Sequence, residues 1–585
     1  MTDRIRSYIL NSLYFNLSII KDGMKILFIH ADFIEWSPEK KAIPSAEEAP
    51  KKEKSEEALV CFSAVEKEDE KNPEKVAENA VKEIMDVFEN VKAKNIVVYP
   101  YAHLSSNLSS PSVALKVLKE IEKEISEKKI PVKRAPFGWY KSFQLKAKGH
   151  PLAELSKTIS AEPPQKKEKP AKIILDRKSL PPNDHRILGE DLRIFHFADE
   201  IGAGLPLLLP YGSIMKHELE TFMRKTEVKH GYKYVDTPHI GKGSLYEATG
   251  HLPYYKDSMY SPVEIEGVDY YLKPMNCPHH HMIFKKIVNS YRDLPLRLAE
   301  AGVTYRNELS GVTYGLIRAK CFTQNDAHIY VTPEQLKDEF IRVLKLFEEV
   351  YRVMNIKGYW FRLSLPDFKK NPDKFTGDPK EWEFASEEIR KAMKEFGATV
   401  VEETGEAAFY GPKIDVQIKN VMGKEETIAT SQVDIVVPKR IGLEYTDKSD
   451  KKRNVIVIHR AILGSYERFI AYLLEQTGGA LPLWLAPVQV KVLSFTERNA
   501  KSATRFCEEL KEKGIRAEAD TEDHTVEYKV RNAELQKIMH IIVIGDKEEK
   551  NNTLAVRTRG SHKVHFGVQK EEFIKKALEE IEKKA

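Results

Sequence analysis

Paired cysteines and long apolar runs are both missing from this sequence. The four cysteines, Cys61, Cys277, Cys321 and Cys507, are far apart and form no CxxC pair. This spacing excludes a disulfide framework and indicates a reducing, cytoplasmic setting. No apolar run approaches the ~20 residues of a membrane-spanning helix, so we expect no membrane association. The net charge of +5 over 585 residues permits an anionic partner without requiring one.

The common nucleotide-binding signatures are also missing. The sequence contains no GxxxxGK[ST] motif, and the glycines of GAGLP (202–206) lack the spacing of a dinucleotide-binding fingerprint. If the protein binds ATP, it therefore binds ATP on a different scaffold.

Changes in composition divide the chain. Residues 1–23 are apolar but interrupted by Asn and Ser, and are either an extension or a frayed helix. Strand and helix patterns alternate over 24–157, which predicts a compact α/β domain whose charged stretch 37–58 is a solvated loop. The proline- and lysine-rich stretch 158–184 is typical of a linker.

Two further domains follow. Residues 185–485 begin with a helix that Ser213 can cap and Gly231 can stop, and continue in β-rich runs that predict an antiparallel sheet. Residues 486–585 alternate strand, helix and strand, which predicts a small α/β unit with a parallel sheet. The predicted fold class is thus a multidomain α/β protein.

The stretch NCPHHHM (276–282) combines a cysteine with three histidines. Pro278 fits the first position of a helix, where successive side chains are ~100° apart. His279, His280 and His281 therefore point in three directions, and at most two of them share a cavity with Cys277. A zinc ion would need ligands from elsewhere in the chain, and a purely structural role for these residues remains an alternative.

Three arginines are candidates for binding an anion. Arg306 and Arg318 lie on two runs joined by a polar loop, and an antiparallel hairpin could aim both at one phosphate chain. Two solvated surface arginines are the alternative. Arg468 lies in the middle of an otherwise apolar helix, where it needs either a bound anion or a buried carboxylate.

Several motifs together resemble the class II aminoacyl-tRNA synthetases. The helix 213–230 with YKYVDTPHI, TYRNE with Arg318, and ILGSYERF resemble the three signature motifs of that class. TGHLPYYKDSM, KPMNCP, FTQNDAHIY, AFYGPKID and HRAILGS are similar to the threonyl-tRNA synthetase family. ILFIHADF, YPYAHLSS, APFGWYKSF and GHPLAELS resemble the archaeal editing domain of that family, which is similar to D-aminoacyl-tRNA deacylases.

The resemblance implies an antiparallel-sheet catalytic core, an N-terminal editing domain and a C-terminal anticodon-binding domain. It implies activation of L-threonine with ATP, transfer to tRNA(Thr), hydrolysis of mischarged seryl-tRNA(Thr), and a homodimer. It also implies one Zn²⁺ per subunit and Mg²⁺ with ATP. Because Cys277, His328 and His459 match the zinc ligands of the family, the histidine run is not expected to be the zinc site.

The resemblance assigns the remaining roles by position in this sequence. The residues implied to bind ATP are Arg306, Glu308, Arg318, Gln432 and Arg468, and those implied to hold threonine are Gln324, Asp326 and Tyr410. His251 is implied to lie near the accepting tRNA hydroxyl. The implied editing residues are His103, Tyr140, Lys141 and Glu154, and the implied anticodon contacts are Glu548 and Arg557.

Two other functions are alternatives to this one. A tRNA- or mRNA-binding relative without catalysis, or a hydrolase with an inactive synthetase core, would be supported by loss of an arginine or a zinc ligand. Arg306, Arg468 and all three candidate ligands are present.

Overall fold

The computed structural model describes residues 23–150, 153–160, 177–309, 311–370, 374–561 and 563–584. The chain divides into two units, Met1–Ile174 and Leu175–Ala585. Of the expected extension 1–23, only Gly23 lies within the described residues. Of the expected linker 158–184, only 158–160 and 177–184 do.

The first unit is an α/β domain, as the sequence predicts. Its strands are β1 (Met24–Lys41), β2 (Glu53–Ala64), β3 (Asn95–Pro100), β4 (Val132–Arg134), β5 (Trp139–Ala147) and β6 (Glu154–Ile159), and its helices are α1 (Pro73–Val91) and α2 (Pro111–Glu127). The strand order is β4-β3-β2-β1-β5, and β6 also pairs with β1. Helix α1 buries Val76, Ala80 and Ile84, whose four-residue spacing places them on one face.

The predicted loop 37–58 is shorter than its composition indicates. Strand β1 continues to Lys41, and β2 begins at Glu53, opposite Trp36. Lys41 itself pairs with Trp139 of β5. The charged residues form strands because a neighbouring strand satisfies their backbone groups, which composition does not reveal.

The second unit contains an eight-stranded sheet in the order β16-β15-β17-β18-β21-β14-β13-β9. The predicted antiparallel arrangement is confirmed for its central strands, while β16 and β9 are parallel to their neighbours. The strands before the C-terminal part are β7 (Phe195–His196), β8 (Leu207–Leu208), β9 (Lys233–Tyr234), β10 (Ile240–Lys242), β11 (Val263–Ile265), β12 (Val268–Leu272), β13 (Leu296–Tyr305), β14 (Cys321–Val331), β15 (Trp360–Leu365), β16 (Val400–Thr404), β17 (Lys413–Lys419), β18 (Glu425–Asp434), β19 (Glu444–Thr446), β20 (Lys452–Asn454) and β21 (Ile456–Ser465).

Helices surround this sheet. They are α3 (His185–Asp191), α4 (Pro210–Lys229), α5 (Gly243–Ala248), α6 (His251–Tyr255), α7 (Cys277–Ile287), α8 (Leu336–Val353), α9 (Pro379–Phe396), α10 (Val437–Arg440) and α11 (Tyr466–Thr477). Helix α4 begins at Pro210, so Ser213 is not its cap; proline suits the first turn because its missing N–H is not needed there. Gly231 follows the helix with φ of +81°, as the prediction of a stop requires.

The C-terminal part corrects the prediction of a parallel sheet. Its strands are β22 (Val490–Ser494), β23 (Ala517–Asp520), β24 (His540–Ile544), β25 (Thr553–Thr558) and β26 (Val564–Gln569), and its helices are α12 (Ala500–Glu512), α13 (Val526–Leu535), α14 (Asp546–Asn551) and α15 (Lys570–Lys583). Strands β22, β23 and β24 are parallel, but β25 and β26 are antiparallel to their neighbours. The links before β25 and β26 are too short for parallel crossovers.

Within the described residues, no helix is both long and apolar enough to cross a membrane.

Candidate active site

A cleft of about 510 Å³ opens on the large sheet of the second unit. Strands β14, β18 and β21 form its floor, and the ends of β13 and α7 form part of its wall. The structure brings together here all the residues that the sequence predicted for ATP, threonine and metal. They are Cys277, Arg306, Glu308, Arg318, Gln324, Asp326, His328, Tyr410, Gln432, His459 and Arg468.

Three of these residues form a buried cluster that can hold a metal ion. His328 on β14 lies directly opposite His459 on β21, and Cys277 begins helix α7. One ligand atom from each of the three lies within 4.8 Å of the other two. Two imidazoles and one thiolate are a zinc-binding set, and a set of three leaves one coordination position open.

Burial shifts the pKa values of His328 and Cys277 in the absence of metal. It lowers the pKa of His328 well below the ordinary value, which keeps the imidazole in its neutral, metal-binding form. Burial, together with the charges of Asp326 and Asp434, raises the pKa of the Cys277 thiol. A bound cation would reverse this effect, because a coordinated thiol is deprotonated.

The histidine run points in three directions, as helical geometry predicts. The ring of His279 lies against Tyr246, at a centroid distance of 6.3 Å. His280 Nδ1 is 2.8 Å from Nδ1 of His328, and His281 Nδ1 is 3.0 Å from the hydroxyl of Tyr330. Only His280 of the three therefore has a hydrogen bond to a candidate metal ligand among the described contacts.

The candidate amino-acid residues lie beside the metal cluster. Asp326 accepts a hydrogen bond of 2.9 Å from the amide of Asn276, and burial raises the pKa of its carboxyl group. The hydroxyl of Tyr410 donates a short hydrogen bond to Gln432. These groups give the inner end of the cleft both acceptors and donors.

The two arginines of the predicted hairpin differ from their expected placement. Arg306 directly follows β13 and lies over the ring of Phe322, 5.2 Å from its centroid. Arg318 is not on a strand, because it closes a turn with the backbone of Tyr314 at 3.1 and 3.2 Å. Its guanidinium instead donates to Glu308, at 3.0 and 2.8 Å. Both arginines nevertheless line the cleft.

Arg468 lies in the first turn of α11 rather than in the middle of a helix, because ILGS belongs to β21. It donates to the backbone carbonyls of Ile317 and Thr427, at 2.9 and 3.1 Å. No carboxylate of the described residues forms an ion pair with it. Burial accordingly lowers the pKa of the guanidinium, although an arginine remains charged in a protein. Of the two explanations for this half-buried charge, the structure favours a bound anion.

His251 lies behind the metal cluster rather than on the lining of the cleft. Its Nδ1 is 2.9 Å from the hydroxyl of Thr249, and its Nε2 is 3.5 Å from Sγ of Cys277. Burial lowers its pKa to about 3.

A second cleft, of about 750 Å³, lies in the first unit. His103, Tyr140 and Lys141 are among its lining residues, whereas Glu154 begins β6 opposite Ile29 and is not. Lys141 Nζ donates to the carbonyl of Pro136 at 3.1 Å and lies 5.0 Å from the centroid of the Tyr99 ring. Burial lowers the pKa of Lys141 to about 8.

A third cleft, of about 710 Å³, lies in the C-terminal part and contains both Glu548 and Arg557. Glu548 accepts a hydrogen bond from the backbone of Gly545 at 3.1 Å, and Arg557 donates to Glu534 at 3.2 Å. Phe495 and Phe566 line the same cleft and are 53% and 74% exposed. Exposed aromatic rings beside cations are typical of surfaces that bind single-stranded RNA.

Comparison with known proteins matches three parts of the chain to protein families. Residues 24–159 match the archaea-specific editing domain of threonyl-tRNA synthetase, 262–477 match the class II tRNA synthetase core domain (G, H, P, S and T), and 487–580 match an anticodon-binding domain. The RNA binding domain of threonyl-tRNA synthetase from Cryptosporidium parvum Iowa II is 34% identical, with a TM-score of 0.63; the match covers 68% of this chain and 98% of that one.

A putative threonyl-tRNA synthetase from Aeropyrum pernix is 30% identical, with a TM-score of 0.61, over 69% of this chain and 96% of that one. The chain belongs to the threonyl-tRNA synthetase family. A threonine–tRNA ligase of Bacillus velezensis is 42% identical over 401 residues, or 68% of this chain and 62% of that protein. The chain thus spans about three fifths of the length of this curated relative.

Family motifs did not reveal every group that surrounds the threonyl-tRNA synthetase cleft. Asp434 Oδ2 lies 3.1 Å from Nε2 of His459, and Glu300 lies behind His280. Phe322 belongs to the motif FTQNDAHIY, and it also lines the cleft. The only available signal for Asp434 and Glu300 was their position on apolar strands, where a buried charge needs a partner.

A second buried cluster in this family member does not resemble a metal centre. Asp184, His185 and Glu475 lie close together, but Arg186 pairs with Asp184 at 2.8 Å. Nδ1 of His185 is 2.6 Å from Glu475. Asp184 is therefore already paired with an arginine, and Glu475 already has a hydrogen-bond partner.

Proposed function

We propose that this chain is a threonine–tRNA ligase that also hydrolyses mischarged seryl-tRNA(Thr). One observation carries the proposal: a buried set of two histidines and one cysteine opens into the same cleft as Arg306 and Arg468. The cleft thus joins a metal-binding set suited to an amino acid with cations suited to a triphosphate.

The proposed activation step depends on positioning and charge. Arg306 contacts the α-phosphate of ATP and Arg468 the γ-phosphate, while Mg²⁺ neutralises the remaining charge. Glu308, Arg318 and Gln432 hold the nucleotide. The carboxylate of threonine attacks the α-phosphorus, and the bond to the leaving pyrophosphate breaks. Carbonyl groups rather than carboxylates hold Arg468, so its charge remains available to the phosphate.

The metal cluster explains how threonine is separated from valine. The two are nearly isosteric, and an apolar pocket rejects such a substitute by only roughly 10²-fold. A zinc ion held by Cys277, His328 and His459 would supply a ligation site for the hydroxyl group that valine lacks. Gln324, Asp326 and Tyr410 orient the amino acid beside it. We assign His251 to the neighbourhood of the tRNA ribose by resemblance alone.

Serine requires a separate solution. It carries the same hydroxyl, and its missing methyl group is worth only ~1 kcal/mol. We propose that the cleft of the first unit hydrolyses seryl-tRNA(Thr), with His103, Tyr140 and Lys141 positioning the ester and water. The role of Glu154 rests on resemblance alone, because Glu154 lies away from the cleft lining.

The remaining assignments follow from the family. Residues 24–157 form the hydrolytic domain, 185–485 the catalytic domain and 486–585 the anticodon-binding domain, in which Glu548 and Arg557 contact the anticodon. The partners are tRNA(Thr), ATP and L-threonine. We propose a homodimer that acts in the cytoplasm.

Amino-acid-dependent exchange between ATP and pyrophosphate tests the activation step. The protein is first assayed for zinc content, and then threonine, serine and valine are compared. We expect exchange with threonine, weaker exchange with serine and none with valine. Absence of exchange in folded, zinc-loaded protein would contradict the proposal and favour a binding protein or a hydrolase with an inactive core.

A further inference from the structure

His280, the middle residue of the histidine run, is held between two polar groups. It is fully buried. Its Nδ1 lies 2.8 Å from Nδ1 of His328, and its Nε2 lies 3.0 Å from Oε2 of Glu300. His280 therefore joins a candidate metal ligand to a carboxylate on the neighbouring strand β13.

Glu300 is fixed as a hydrogen-bond acceptor. Its Oε1 accepts from the backbone N–H of Thr237 at 2.8 Å and from that residue's hydroxyl at 3.0 Å, and Nζ of Lys273 lies 3.4 Å away. Burial alone would raise the pKa of Glu300, but the hydrogen bond from His280 and the charge of Lys273 lower it to about 2. An ionised carboxylate can only accept.

This acceptor determines the direction of the two bonds that follow. Nε2 of His280 must carry the proton that it donates to Glu300, and in a neutral imidazole Nδ1 then carries a lone pair. Nδ1 of His328 must then donate to that lone pair. The lone pair of His328 consequently lies on Nε2, on the opposite side of its ring from His280.

We infer that Glu300 and His280 form a relay that fixes the tautomer and orientation of His328 for metal binding. Both are positioning residues, because neither touches substrate or metal. The inference rests on the proposed zinc site and extends it by two residues. Partners of this kind hold metal-binding histidines in one tautomer.

The neighbouring contacts distinguish this role from general packing. His459 reaches a carboxylate directly, because its Nε2 is 3.1 Å from Asp434. His328 reaches Glu300 only through His280. His281 is as deeply buried as His280, but its Nδ1 bonds to the hydroxyl of Tyr330 rather than to a candidate ligand.

Zinc affinity of the full chain tests the relay. It is measured by competition with a chromophoric chelator at fixed pH, on wild-type protein and on His280→Leu, His280→Asn and His281→Leu variants. We expect His280→Leu to weaken zinc binding by roughly 10- to 100-fold. His280→Asn should recover part of the loss, because its amide oxygen can accept from Nδ1 of His328. His281→Leu is the matched control and should stay within about threefold of wild type, because it removes no bond to a ligand.

The outcomes separate the relay from the zinc site itself. If the wild type binds zinc and the His280 variants bind it equally well, the relay is contradicted and the zinc site remains supported. Equal losses in His280→Leu and His281→Leu would show a packing effect and also overturn the relay. Wild-type protein that binds no zinc would overturn both. Circular dichroism of the metal-free proteins checks folding, and if the leucine variants do not fold, His280→Ala and His281→Ala give the same comparison.

Discussion

Arg468 and Lys141 are half-buried cations in different units, and their environments are alike. Each donates to two backbone carbonyls, and neither forms an ion pair with a carboxylate of the described residues. Burial lowers the pKa of both. Arg460 provides the contrast, because it is 1% exposed, more deeply buried than either, and pairs with Glu227 at 2.6 Å.

The comparison shows how the choice of cation suits the chemistry of each cleft. An arginine keeps its charge despite burial, which fits permanent contact with a triphosphate. Partial burial instead lowers the pKa of Lys141 to about 8, so its protonation changes close to neutral pH. The charge of Arg460 is already balanced by Glu227.

Loss of a metal ligand should give the largest effect. We expect Cys277→Ser to lower threonine-dependent ATP–pyrophosphate exchange by roughly 10³-fold and to lower zinc content, because several kcal/mol of substrate ligation are lost. Seryl-tRNA(Thr) hydrolysis should be unaffected, which would sharpen the distinction between the clefts. Cys321→Ser is the control, since Cys321 is not a candidate ligand. Unchanged threonine activation in Cys277→Ser would contradict the metal assignment.

Loss of Arg468 from the cleft of the second unit should have the next largest effect. Arg468→Ala should lower the exchange rate by about 10²- to 10³-fold, because one preorganised electrostatic contact contributes roughly 3–4 kcal/mol to the transition state. Arg453→Ala, which removes an exposed arginine paired with Asp447, should leave the rate unchanged. If Arg468→Ala keeps the wild-type exchange rate, Arg468 has no role in activation, and its comparison with Lys141 as a functional cation fails.

Loss of Lys141 from the cleft of the first unit should affect only the hydrolysis of seryl-tRNA(Thr). Lys141→Ala should slow deacylation of preformed seryl-tRNA(Thr) by about 10²-fold, the lower range for a positioned catalytic group, and leave threonine activation intact. Lys146 lies on the same strand and pairs with Asp32 at the surface, so Lys146→Ala serves as the control. Normal hydrolysis by Lys141→Ala would refute the editing role.

The pH dependence should give the smallest effect. Lys141 is protonated below its pKa of about 8 and neutral above it. Any stabilisation that its positive charge gives to the ester is therefore lost as the pH rises through 8. We expect the ratio of catalysed to uncatalysed hydrolysis to fall about tenfold per pH unit above that value. A rising ratio would instead indicate that neutral Lys141 acts as a base.

Local patterns predicted part of the fold and of the site, and tertiary pairing decided the rest. The three-way divergence of His279, His280 and His281 follows from helical periodicity, and the structure confirms it. The continuation of β1 to Lys41 depends on its pairing with Trp139, far along the chain. Arg318 was expected on a strand, but it closes a local turn and pairs with Glu308.

The sequence by itself determined the family, the order of the matched domains and the residues predicted for ATP, threonine and metal, which share one cleft. Those residues belong to short contiguous motifs, which can be recognised in the sequence without the structure. Only the tertiary structure decided which groups support them: Glu300 behind His280, Asp434 behind His459, and carbonyls rather than carboxylates around Arg468. These partners come from distant strands, and the register between strands is set by packing across the whole sheet.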